Sequence, residues 1–137
     1  RWSSQVPDRL EFEGRLGVRV GETVEEARAA MEAVVREACP EASIAWTGGQ
    51  FAPGATPADH PFCRLVQEAA AEELGAPPPF VGVSYGSDMR QFAARGVPAV
   101  MFGTGGLERA HAVDERVAVD EVEKVARTIA RVLTRFA

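Results

Sequence analysis

Cysteine is scarce in this 137-residue sequence, and its two copies, Cys39 and Cys63, stand far apart and outside any CxxC spacing. That spacing gives no redox pair and no disulfide framework. Each falls on the apolar side of an expected helix and reads as a small core residue, against a redox or ligand role. Free thiols in an acidic chain point to the cytoplasm. No apolar run approaches the ~20 residues needed to cross a membrane; the longest, residues 97–102, has strand length. Arg1-Trp2-Ser3-Ser4 carry neither the pattern of a signal peptide nor an initiating methionine, so the chain is expected to start mid-protein or to have been trimmed. No serine lies in a GxSxG elbow, which excludes the hydrolases built on that turn. Fifteen basic residues against twenty acidic ones leave a net charge of -5. The basic clusters sit at helical spacing, so neither nucleic acid nor a membrane is an expected partner. There is no internal repeat and no low-complexity segment.

What is present is ordinary for a soluble globular protein, with 46% hydrophobic and 26% charged residues. The length suffices for one domain and is short for two. Residues 10–20 alternate apolar and polar through Leu10, Phe12, Leu16, Val18 and Val20, the period of a half-buried strand with a bulge at Gly14. Thr23 and Glu26 then form a capping box, and Val24, Ala27, Met31, Val34 and Ala38 mark one face of an amphipathic helix that Pro40 stops. Residues 42–46 read as a second strand. Residues 48–57, rich in glycine and proline, read as a linker.

Beyond the linker the pattern changes. Pro61 suits the first position of a helix, capped by Asp59 or His60, buried through Phe62, Leu65, Val66 and Ala69, and closed by Gly75. Residues 80–84 and 97–102 are short, nearly all-apolar runs, as strands covered on both faces are. A helix over residues 88–95, capped by Asp88, is predicted between them. A last helix is predicted from an Asp120–Glu123 capping box. Its apolar face is Val122, Val125, Ile129, Val132 and Phe136, and Arg127, Arg131 and Arg135 lie where the helix dipole favours cations. Helix, strand, helix, strand, loop, helix is the order of an α/β layer with parallel strands.

In such folds sites form in the loops beyond the carboxyl ends of the strands. Ser84-Tyr85-Gly86-Ser87-Asp88 puts a glycine, which lets a ligand approach the backbone, directly before a helix start, an arrangement suited to an anion. The alternative is an ordinary strand-to-helix turn. The long stretch 102–115 holds His111, one of only two histidines, and loops of that length are either functional or disordered. His111 reads either as a metal ligand, with Asp114 or Glu115 as further ligand or orienter, or as a surface histidine. GTGG within it lacks the lysine and Ser/Thr of a phosphate loop. His60 reads as a helix-start residue rather than a ligand.

In chain order, GSDMRQF, GVPAVMFGTGG and AHAVDERVAVDEV resemble the C-terminal half of the acetylornithine deacetylase and succinyl-diaminopimelate desuccinylase family. These are zinc-dependent amidohydrolases that also include aminoacylases and carboxypeptidase G. VPDRLEFEGRLGVRVGETVEEA resembles the family's lid domain, and GQFAPGATPADHPF falls where the family's chain returns to the catalytic domain. Departures fall at Gly17, around Ser4 and at Thr104.

The resemblance implies a division into residues 1–47, the second half of a ferredoxin-like α+β lid or dimerisation domain, the linker 48–57, and residues 58–137, the C-terminal part of a zinc-exopeptidase-like catalytic sheet. It implies His111 as a metal ligand, and Gly86, Ser87, Gly103, Thr104 and Gly105 as substrate-binding positions. Asp88 and Glu115 fall at positions taken as structural. The implied cofactor is zinc, or cobalt or manganese, as two ions in a full-length protein. The implied reaction is hydrolysis of the amide bond of an N-acyl amino acid or small peptide by a cytoplasmic homodimer joined through the lid. The family's HxD ligand pair, bridging aspartate and paired glutamates precede the lid and are absent from this sequence, so the 137 residues alone are expected to be inactive. The contrasting expectation is a non-catalytic oligomerisation module.

Overall fold

The Thr23–Glu26 pair begins α1 (Val24–Ala38) as its spacing predicts. Thr23 Oγ1 accepts from the Glu26 N–H at 3.1 Å, and the Thr23 N–H donates to the Glu26 carboxylate at 2.8 Å. Two otherwise unpaired backbone donors are thereby satisfied, and the same bonds hold the Glu26 carboxyl below its ordinary range. This computed structural model describes residue 4 and residues 6–136. Residues 1–3, on which the reading of a missing leader chiefly rests, lie outside them.

The chain divides into two compact units, Arg1–Gln50 and Phe51–Ala137. In the first, Val24, Ala27, Met31 and Val35 face inward, while Val34, expected on that face, is 62% exposed. Trp46 sets the choice of face. Its indole N–H donates to Glu32 at 2.7 Å and its ring lies 5.5 Å from the Arg28 guanidinium. Residues 42–46 thus lie against the Arg28–Glu32 edge of α1, with Ile44 and Trp46 half-buried at alternate positions. Cys39 is exposed rather than in the core, because α1 ends one residue earlier and leaves it as the C-cap.

The second unit is built on α2 (Pro61–Leu74). His60 rather than Asp59 is the cap, its Nδ1 accepting from the Phe62 N–H at 3.1 Å, and Gly75 closes the helix in the left-handed conformation. Cys63, Val66, Ala69 and Ala70 are buried. After a short α3 (Met89–Ala93) and a 3₁₀ turn, Leu107–Arg109, the chain ends in α4 (Val119–Phe136). α4 runs antiparallel to α2, since Phe62 meets Phe136 edge to face at 6.1 Å while Glu73, at the other end of α2, meets Arg127 at 2.7 Å.

Four ion pairs, Glu73–Arg127, Glu73–Arg131, Glu72–Arg131 and Glu72–Arg135, cross this seam. The three arginines pair with these carboxylates, while Val122, Ile129 and Phe136 of the expected buried face stay exposed. The expected Asp120 cap is also displaced. Asp120 lies inside the first turn and bonds Lys124 at 3.1 Å.

The expected fold class, an α/β sheet with parallel strands and half of a ferredoxin-like lid, is not seen. Among the described residues there is no β-strand. Residues 10–20, 42–46, 80–84 and 97–102 are outside helices, yet no backbone ladder joins any two of them. Alternation and apolarity mark faces that gain from burial; a strand also needs a second backbone about 4.8 Å away. Without one, Leu10 and Phe12 stand 83% and 88% exposed. Backbone groups find other partners instead. One hydroxyl, Thr56 Oγ1, donates to the Ala99 carbonyl at 2.6 Å and accepts from its N–H at 2.9 Å, and Gln67 donates to the Pro78 carbonyl at 2.7 Å.

Candidate substrate turn and metal-ligand histidine

The turn before α3 is held by serine, not by the aspartate expected to cap it. Ser87 Oγ accepts from the Met89 N–H at 3.2 Å, whereas Asp88 makes no capping bond. Serine and aspartate are both good caps, and sequence alone did not tell which of two adjacent residues would be used. The helix behind the turn has five residues, so few peptide dipoles add, and the donor at Met89 is already taken. Gly86 is exposed and Ser87 half-buried. The Ser87 carbonyl accepts from Arg90 Nη1 at 2.7 Å, and the Arg90 guanidinium lies 4.0 Å from the centre of the Phe51 ring. Neither Arg90 nor Phe51 was singled out by the sequence, because their contact joins segments almost forty residues apart.

Gly103, Thr104 and Gly105 follow residues 97–102, with Thr104 half-buried and the two glycines exposed. The residue of that stretch whose backbone calls for glycine is the next one, Gly106, at φ 78°, which opens the 3₁₀ turn. His111 comes two residues after that turn. It is exposed and carries φ 63°, the one described non-glycine residue in the left-handed region. Histidine tolerates that conformation better than most residues, and backbone strain of this kind concentrates at functional sites. The following carboxylates do not join it: Asp114 pairs with Arg116 at 2.9 Å, and the Glu115 N–H closes a turn onto the Ala112 carbonyl. Among the described residues no hydrogen bond links the Ser84–Asp88 turn to residues 103–106 or to His111.

Residues 5–135 match Peptidase family M20/M25/M40. The chain belongs to this family. It is also similar to a succinyl-diaminopimelate desuccinylase of Paracoccus denitrificans (strain Pd 1222), 37% identical over 76 residues, which cover 56% of this chain and 19% of that protein. The chain thus matches about a fifth of that relative's length. No solved structure matches it.

M20 members are peptidases and amidohydrolases, generally metal-dependent, and a metal centre needs side chains that converge. Among the described residues no three His, Cys, Asp or Glu side chains gather where they would hold an ion. A catalytic zinc site takes about three protein ligands and an open position. The described residues therefore do not fit a metal centre of their own; His111 offers one ligand at most. No helix among the described residues is long and apolar enough to cross a membrane.

Proposed function

We propose that this chain is the C-terminal part of an acetylornithine deacetylase-like M20 hydrolase that cleaves the amide bond of N-acyl amino acids or small peptides. The family match over residues 5–135 carries the reading. The similarity to a desuccinylase supports an acylated amino acid as the substrate class. In this reading Gly86 and Ser87 receive the substrate carboxylate, and Gly103, Thr104 and Gly105 line the pocket. His111 is one of several ligands to zinc, cobalt or manganese, the others and the general base being supplied by polypeptide outside these 137 residues. The whole protein is a cytoplasmic homodimer joined through the region of residues 1–47.

The test is a longer chain carrying the upstream half, assayed with N-acetyl and N-succinyl amino acids. Turnover that His111→Ala abolishes while circular dichroism stays unchanged is the expected result. Full activity of that variant removes the ligand assignment. The alternative reading is a non-catalytic oligomerisation module. A coding sequence that starts near Arg1, with no HxD motif and paired glutamates before it, selects that reading.

A further inference from the structure

Arg90 is the point at which two distant segments of the second unit meet. Its side chain donates from Nη1 to the Ser87 carbonyl at 2.7 Å while its guanidinium lies over Phe51, 4.0 Å from the ring centre. Its backbone is approached as closely by Gly54, where an added Cβ would stand 2.6 Å from the Arg90 Cα. Gly86 is near as well: a Cβ there would lie 3.6 Å from Nη1. A flat guanidinium stacks on an aromatic face and donates sideways in the same pose, which an ammonium does not do. One feature argues against a merely stabilising role. Arg90 Nε is buried without a hydrogen-bond partner, and an unsatisfied buried donor costs stability rather than adding it.

We infer that Arg90 is a positioning residue for the Gly86–Ser87 turn, locking the Ser87 carbonyl, and with it the turn, onto the segment of Phe51 and Gly54. What the turn receives rests on the function proposed above; the lock itself does not. In that function, Arg90 would set where the turn's backbone meets a substrate carboxylate without itself touching it. Gly54 is then required for clearance, and Phe51 is the platform that keeps the guanidinium from swinging into solvent.

The test uses the 137-residue chain and needs no substrate. Amide hydrogen exchange at Met89 and Gln91, whose N–H groups bond to Ser87 Oγ and to the Asp88 carbonyl, reports the order of the turn. Arg90→Met keeps an apolar stem on Phe51 and removes the unpaired Nε. Its melting temperature should therefore not fall, while exchange at these two amides accelerates about tenfold, as for the loss of one charge-assisted bond. Arg90→Lys should accelerate exchange too, without rescue. Phe51→Leu should give the same acceleration with Arg90 still in place, and the Phe51→Leu/Arg90→Met pair no more than either alone. Unchanged exchange in Arg90→Met or Phe51→Leu overturns the inference, and so does full protection in Arg90→Lys. So does a uniform rise that includes α2 and α4 amides, since it marks a general loss of stability. Separately, titration of N-acetyl amino acids that moves no amide of the turn, in this chain and in one carrying the upstream half, removes the substrate reading and leaves the positioning role standing.

Discussion

Thr128 sits in the seam between α2 and α4 at 1% exposure, and its hydroxyl has no hydrogen-bond partner. Burying an unpaired hydroxyl costs about 1–3 kcal/mol, and valine has nearly the same shape. Thr128→Val is therefore expected to stabilise the chain by roughly 1 kcal/mol, read as a higher urea midpoint with an unchanged slope. His60 makes the opposite case. Its Nδ1 fills the cap of α2, so His60→Ala should cost about 1 kcal/mol, and His60→Ser should recover most of it. A serine that restores none of the loss would remove the helix-start reading of His60.

At the scale of elements, charge crosses the α2–α4 seam in four ion pairs. The Arg127 and Arg131 guanidinium groups hydrogen-bond the Glu73 carboxylate, and that of Arg135 bonds Glu72; both carboxyls are held below their ordinary range. A carboxyl lowered in the folded state contributes stability above its unfolded value, and this is lost as pH falls through the folded value. Urea midpoints should accordingly be level near neutrality and decline below about pH 4.3, the ordinary glutamate value. Glu73→Gln should flatten part of that decline, leaving the share of Glu72, Glu26 and Asp120, which are lowered as well. A curve for Glu73→Gln that parallels the unaltered chain throughout would show that the network adds nothing. The helices themselves were legible because their signals are local: Thr23 with Glu26, Pro61 with Gly75, and periodic apolar residues over fourteen or more positions. The faces were less so: Val34 of α1 and Val122, Ile129 and Phe136 of α4 are exposed where burial was expected. The expected strands are absent among the described residues. Alternation at residues 10–20 describes a surface that burial would favour, but pairing is a property of a second segment that the first does not encode.

For the whole molecule, the family was readable as motifs, and the geometry of a site was not. GSDMRQF, GTGG and the region of His111 carried the resemblance, and residues 5–135 match Peptidase family M20/M25/M40. Among the described residues no group of three or more His, Cys, Asp or Glu side chains gathers around His111 to hold an ion. An exposed histidine with its neighbouring carboxylate already paired to Arg116 offers an ion one nitrogen and several waters. The amide bond needs more than that: a positioned base and an electrophile held opposite it. The 137 residues alone are therefore expected to hydrolyse no N-acyl amino acid above the buffer rate. Zinc titrated into them, followed by calorimetry, should give no saturable heat that His111→Ala removes. A tight site that disappears with His111 would mean that ligands gather around it in solution, and deacylase activity that survives repeated purification would place a base within this chain. Either result would contradict the expectation that these residues hold no catalytic centre of their own.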